Sequence, residues 1–359
     1  MRPGRRTAAL VGAAAIAAAS AAAQPPSSWP TALPLALDRA AATLKAGGLV
    51  AAEVRAGSVR YLEAGHPEPR PGIPPERLVF EIGSVTKVFT GLLLAQAVVE
   101  NRVRLTDTLG QWLPESVPLD PKVAAITLEE LATHTSGLPA LAGRSRAEDY
   151  RSGLRLGDFY AFLSSFHPAA PPPAPPLYSN LGPSLIGLVL ERAYGESYDD
   201  LVREKIDRPI GLADTSVELS PEQASRFARP HDGGRLLRPW RLPVFAGAVG
   251  LHSTAADLVR LSLALMAPAD PSIRPAWEIA RRPWTDFPAY GGQAGLGVLI
   301  LQRNGDTVYW HGGTTAGSHS HLQWSSRLRR ALVVLENNGS PEAMNLVVTF
   351  YQIRPDAAP

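Results

Sequence analysis

The chain of 359 residues has no cysteine. That excludes disulfides, thiolate nucleophiles and cysteine-ligated metals together. Lysine is scarce as well. Of 35 lysines and arginines, only Lys45, Lys87, Lys122 and Lys205 are lysine. Arginine cannot release its proton near neutral pH, so any proton-relaying amine must be one of these few. No dense basic run with interleaved aromatics occurs, so nucleic acid is not an expected partner. No repeat with a period of roughly 20–50 residues appears, and no apolar run reaches the ~20 residues that span a bilayer.

What is present is a globular composition, 45% hydrophobic and 19% charged. The chain is long enough for a sizeable core in one large domain or two packed parts. Its first 23 residues stand apart. Arg2, Arg5 and Arg6 precede an alanine-rich apolar run over 7–19, and Ala21-Ala22-Ala23 offers a small-residue cleavage site. This is the layout of a secretory signal peptide over 1–23. It predicts a periplasmic or extracellular protein with no stable membrane insertion after the leader is removed. Without those three arginines the formal charge of +2 becomes −1. The remainder, 24–359, is expected to be a single catalytic domain. Its oligomeric state is not legible.

Hydrophobic periodicity predicts a helix over 33–46 and strands over 49–55 and 59–63 around an Ala56-Gly57-Ser58 turn. Helical spacing dominates from about 88 to 219, over 85–100, 127–134, 156–165, 182–193 and 198–206. Thr127 and Glu130 have capping-box spacing. Residues 168–176 form a proline-dense, stiff connector. A helix follows at 254–266, and strands are predicted over 296–301, 307–311, 318–324 and 331–336. A weaker helix is predicted over 341–351. Strands at both ends and helices between predict an α/β fold: one antiparallel sheet built from both chain ends, flanked by helices, with an inserted helical part. The sheet part covers about 30–87 and 240–359 and the helical part about 88–239, with a cleft between them.

Three stretches carry chemistry. Ser84-Val85-Thr86-Lys87 follows a strand-like run and opens a helix-like one, so hydroxyl and amine share one face a turn apart. There the amine can take the hydroxyl proton, and the helix dipole favours negative charge on oxygen. Tyr178-Ser179-Asn180 follows the proline connector. A phenol beside an ammonium is expected to have a lowered pKa and to act as base and acid. Asn180 can bind a substrate carbonyl or orient Lys87. His311-Gly312-Gly313 ends a predicted strand, where the glycines let a substrate approach the strand edge. The N–H groups of Ser84 and Thr314 could then form an oxyanion hole. Each stretch alone has a plain alternative: Ser84 as an N-cap, Tyr178 as a core aromatic, Asn180 as a cap, His311 as a surface residue beside a hairpin turn.

Together the three stretches resemble the S-x-x-K, tyrosine-x-asparagine and K-T-G-like elements of the penicillin-recognising serine hydrolases: class C β-lactamases, DD-peptidases and family VIII-like esterases. Phe80-Glu81-Ile82-Gly83, residues 133–139 and residues 247–254 add to the likeness, which covers about 30–350. The resemblance implies Ser84 as acylated nucleophile and Lys87 and Tyr178 as the proton-transfer pair. It also implies substrate contacts at Asn180, His311, Gly312 and Gly313, an oxyanion hole of Ser84 and Thr314, and no cofactor or metal. The departure is His311 in place of lysine, which removes a permanent positive charge.

The leading expectation is therefore an exported serine hydrolase acting on a β-lactam, a D-Ala-D-Ala peptide or another peptidoglycan-derived substrate, or a short ester. The alternative is a non-catalytic peptidoglycan- or ligand-binding protein on the same scaffold. His319-Ser320-His321 puts two imidazoles on one strand face, but zinc would need a third close ligand. His134 reads as structural, and His66, His167, His231 and His252 carry no pattern.

Overall fold

The computed structural model describes residues 32–353, apart from 68, 70–71, 143–153, 269 and 304. The leader expected over 1–23 lies outside the described residues. Helix α1 (Ala32–Ala41) buries Leu33, Ala36, Leu37 and Ala40, a stripe at helical spacing. It stops earlier than the predicted 46. Strands β1 (Gly48–Arg55) and β2 (Ser58–Gly65) form the expected hairpin. Arg55 pairs with Ser58, so the loop is Ala56-Gly57, with φ of 50° and 90°. Two left-handed residues match the twist of a two-residue hairpin.

Strand β3 (Val79–Glu81) runs through a single 3₁₀ turn, Gly83–Val85, into helix α2 (Thr86–Val99). Helix α2 is buried around most of its circumference, which marks it as a central helix. A Cβ at Gly91 would collide with the backbone carbonyl of Leu296, so glycine permits the close crossing there.

The helical stretch follows as α3 (Leu128–Ala132), α4 (Leu156–Ser165), α5 (Leu181–Tyr194) and α6 (Tyr198–Val202). The Thr127–Glu130 capping box is formed in both directions. The helix expected over 198–206 changes to a π-turn at Arg203–Asp207. Strand β4 (His252–Thr254) was not expected; it pairs antiparallel with β3, setting Glu81 opposite His252. Helices α7 (Ala255–Met266) and α8 (Arg274–Ala280) come next. The chain then makes β5 (Thr285–Phe287), β6 (Gly292–Ala294), β7 (Leu299–Arg303), β8 (Asp306–Thr314), β9 (His319–Ser325) and β10 (Arg330–Glu336), and ends in α9 (Pro341–Ile353).

The spatial order is β2-β1-β10-β9-β8-β7-β6-β5. The N-terminal hairpin docks on the last strand, from Leu49 opposite Glu336 to Arg55 opposite Arg330. The sheet is thus assembled from both chain ends, as the sequence predicts. Alternation divides its two faces. Leu49, Ala51, Leu332 and Val334 pack with α1 and α9. Val50, Ala52, Val54, Val333 and Leu335 join the larger core that contains α2, α5 and α7. Each fully buried Leu or Val side chain contributes ~1.5–3 kcal/mol relative to exposure. Among the described residues no helix is long and apolar enough to cross a membrane.

Candidate active site

Ser84 sits in the 3₁₀ turn that opens α2, and its side chain caps no backbone N–H. Lys87, one turn on, is fully buried. Its Nζ reaches three oxygens: Ser84 Oγ at 2.9 Å, Asn180 Oδ1 at 2.7 Å and the Ala248 carbonyl at 2.9 Å. Two of these can only accept hydrogen bonds, whereas the serine hydroxyl can also donate. Burial holds the Lys87 amine well below the ordinary lysine range.

The Tyr178 phenol lies near enough to the Ser84 side chain to be influenced by it, and Lys87 Nζ lies 5.0 Å from the centre of its ring. The three groups expected to converge from two distant stretches therefore meet. One expectation is corrected. The pKa of Tyr178 is raised, not lowered: burial pushes it up, and neither the nearby Ser84 hydroxyl nor any positive charge offsets this. The physical reason lies in Lys87, whose own burial disfavours the ammonium that was to stabilise a phenolate.

The Tyr178–Asn180 segment is held from outside. The backbone N–H groups of Ala174 and Leu177 donate to the Thr135 and His134 carbonyls at 2.7 and 2.9 Å, and that of Asn180 donates to Ala140 at 3.0 Å. Residues 133–140 thus form a template for the proline connector. His134 is buried in this template with φ of 63°. Its Nδ1 accepts from the Ser179 N–H at 3.2 Å, and its ring stacks on Tyr178 at 4.7 Å between centroids. The bond leaves Nδ1 as an acceptor, and burial with the Lys87 charge holds the ring neutral.

Strand β8 completes the arrangement. It pairs with β7 only as far as Trp310 opposite Leu299, and with β9 through Thr314. Its edge from His311 to Thr314 thus carries no strand partner on that side among the described residues. Gly313 packs against the start of the helix: a Cβ there would lie 2.9 Å from the Ser84 nitrogen. One on Gly83 would lie 2.8 Å from the Thr314 nitrogen. Only glycine allows the two backbones this approach. The Ser320 hydroxyl donates to the Ile82 carbonyl at 2.7 Å and braces the contact.

His311 is buried rather than on the surface, 2% exposed. Its Nδ1 lies 2.7 Å from the Gly312 carbonyl. A carbonyl only accepts, so Nδ1 carries the proton. Burial first, then the Lys87 charge, lowers its pKa to about 3. His319 and His321 share a face of β9, while His311, opposite Leu322, faces the other way. Among the described residues no group of three or more His, Cys, Asp or Glu side chains is placed to hold a metal.

A family model described as Beta-lactamase matches residues 36–351. The chain belongs to the beta-lactamase family of serine hydrolases. Penicillin-binding protein 4 of Amycolatopsis lactamdurans is 29% identical over 275 residues, 68% of each chain. Esterase EstB of Burkholderia gladioli is 27% identical over 369 aligned residues, 89% of this chain and 92% of the esterase. Against several further relatives the matched region spans 51–60% of their own length. The crystal structure of a beta-lactamase/D-alanine carboxypeptidase from Pseudomonas syringae superposes with a TM-score of 0.79 at 19% identity. It covers 92% of this chain and 99% of that one, a likeness of fold.

Within this beta-lactamase fold, sequence reasoning missed four contributors. The Ala248 carbonyl that holds Lys87 lies in a stretch quoted only for its likeness. His134 was read as structural, without its stack on Tyr178. Glu81, 4% exposed, accepts from the Trp240 N–H at 2.7 Å and the Thr315 hydroxyl at 2.6 Å. It ties β3 to the turn beyond β8. Tyr290 packs 5.5 Å from Tyr178. Glu81 and His134 also lie in stretches quoted for their likeness, but a carbonyl and a stacking partner are visible only once the chain is folded.

Proposed function

We propose that this protein is an exported serine hydrolase that works through an acyl-enzyme on Ser84. The observation that carries the reading is Lys87 Nζ, 2.9 Å from Ser84 Oγ and anchored by two carbonyl-type oxygens. As a neutral amine, Lys87 donates its two N–H bonds to Asn180 and Ala248. Its lone pair is then left for the Ser84 proton.

In the first step Ser84 Oγ attacks the substrate carbonyl and its proton passes to Lys87. The developing oxyanion is held by the N–H groups of Ser84 and Thr314. Tyr178, kept protonated by burial, relays a proton from Lys87 to the leaving group as the acyl bond breaks. Water then attacks the ester on Ser84 through the same groups, and the acid is released. Asn180 orients Lys87 through Oδ1, and its amide N–H₂ remains to bind a substrate carbonyl.

The relatives suggest β-lactams, D-alanyl peptides and esters as substrate classes. Export rests on the leader over 1–23. The test is mass spectrometry of the peptide that bears Ser84 after brief exposure to a p-nitrophenyl ester, a penicillin and a D-Ala-D-Ala peptide. An acyl adduct on Ser84 that appears and then turns over supports the reading. Turnover that survives in Ser84→Ala removes it.

A further inference from the structure

We propose that the leaving-group side of this cleft accepts uncharged alcohols and discriminates against carboxylates, with His311 and Tyr290 as the specificity-determining residues. The inference deepens the acyl-enzyme reading and rests on it. If Tyr178 delivers the proton to the departing atom, the leaving group must lie beside the Tyr178 hydroxyl. The walls around that ring therefore decide what can leave.

Those walls are aromatic and neutral. His134 stacks on Tyr178 at 4.7 Å, Tyr290 lies at 5.5 Å and His311 at 6.2 Å. Phe287 backs both His134, at 5.6 Å, and Tyr290, at 4.9 Å. The nearby amine, Lys87, has three oxygens on its Nζ and none to spare for a substrate anion.

His311 decides the sign of the interaction. Its Nδ1 proton is committed to the Gly312 carbonyl. Its Nε2 therefore presents a lone pair, which accepts a hydrogen bond and repels a carboxylate oxygen. Protonating Nε2 would bury a cation close to Lys87, and the ring resists this down to about pH 3. A leaving group with a free carboxylate, as in a terminal amino acid, would lose its water here and find no cation among these walls to offset the loss. An alcohol with an apolar or aromatic body finds stacking surface on Tyr290 and Tyr178.

The test compares two aryl acetates, phenyl acetate with a meta-carboxylate and its methyl ester, each corrected for its hydroxide-catalysed rate. For the wild-type protein we expect kcat/KM to favour the methyl ester by roughly tenfold or more. His311→Lys should reduce that preference by about tenfold or invert it. His311→Gln, which stays neutral, should retain it, and Tyr290→Ala should weaken hydrolysis of the methyl ester more than that of the acid. Equal rates or a carboxylate preference in the wild type would overturn the inference. So would a folded His311→Lys protein with an unchanged ratio. If that variant does not fold, as read by its thermal melt, the wild-type and His311→Gln ratios decide. Failure of the underlying reading looks different: neither ester is turned over and Ser84 takes up no acyl group.

Discussion

Lys87 Nζ donates to Asn180 Oδ1 at 2.7 Å across 93 residues of sequence. The bond joins the helix that carries Ser84 to the start of α5. It explains how a buried amine keeps one orientation: two fixed carbonyl-type acceptors leave its third direction facing the serine. The proposed chemistry depends on this bond and on the amine being able to lose its proton.

Replacing Lys87 by arginine keeps hydrogen-bond donors but fixes a positive charge and forbids deprotonation. Turnover should fall by ~10²–10⁴-fold, the usual reach of a general base. The same logic sets a pH profile. The active form is the neutral amine, so kcat/KM rises with pH through the pKa of Lys87. Burial lowers that pKa, so the acid limb should lie well below the ordinary lysine range. Stopped-flow or spectrophotometric rates between pH 4 and 10 would check both statements.

Tyr178→Phe removes the hydroxyl and leaves the ring that stacks on His134 and packs against Tyr290. Stability should change by less than about 1 kcal/mol, because the packing is retained. Turnover should drop by ~10²–10⁴-fold through loss of the proton relay. Urea unfolding and steady-state rates on one preparation separate the two effects.

Gly313→Ala places a methyl group 2.9 Å from the Ser84 nitrogen. The strand must move away from the helix start, and the Thr314 N–H moves with it. We expect kcat to fall by ~10²–10³-fold, the cost of losing an oxyanion donor, while ester binding is largely kept. Gly312→Ala is the comparison, since a Cβ there meets nothing closer than 3.8 Å.

His311 predicts a pH dependence of stability. Its pKa is about 3 in the folded chain and about 6.5 when unfolded. Between these values the unfolded state binds the extra proton, so stability is lost as pH falls below about 6.5. At pH 5 the loss from this one group is about 2 kcal/mol relative to pH 7 or above. His311→Gln should remove that share of the difference between the pH 7 and pH 5 urea midpoints. The buried Glu336, raised to about 8, acts in the opposite direction between about pH 4 and 8, so the variant must be compared at both pH values.

Much of the fold was legible because its signals are local. The capping box at Thr127–Glu130, the Ala56-Gly57 turn and the alternation along β8, β9 and β10 each follow from neighbouring residues. The strand-like run before Ser84 was read as β3, whereas its partner β4 and the short strands β5 and β6 were missed, since three residues carry too little period to read. The segment expected to run as one helix over 198–206 switches to a π-turn, which apolar spacing does not reveal.

The sequence by itself determined which groups could do the chemistry. An amine one turn from a serine follows from helix geometry, the lack of cysteine removes thiols, and histidine in the third motif removes a fixed cation. Only the folded chain decided how those groups behave. The protonation of Lys87, Tyr178 and His311 depends on how much water each has lost and what lies across from it. Those neighbours, Ala248, His134 and Tyr290, are supplied by remote parts of the chain. Desolvation and long-range contact are properties of packing, so they leave no mark on the residues that flank each group in sequence.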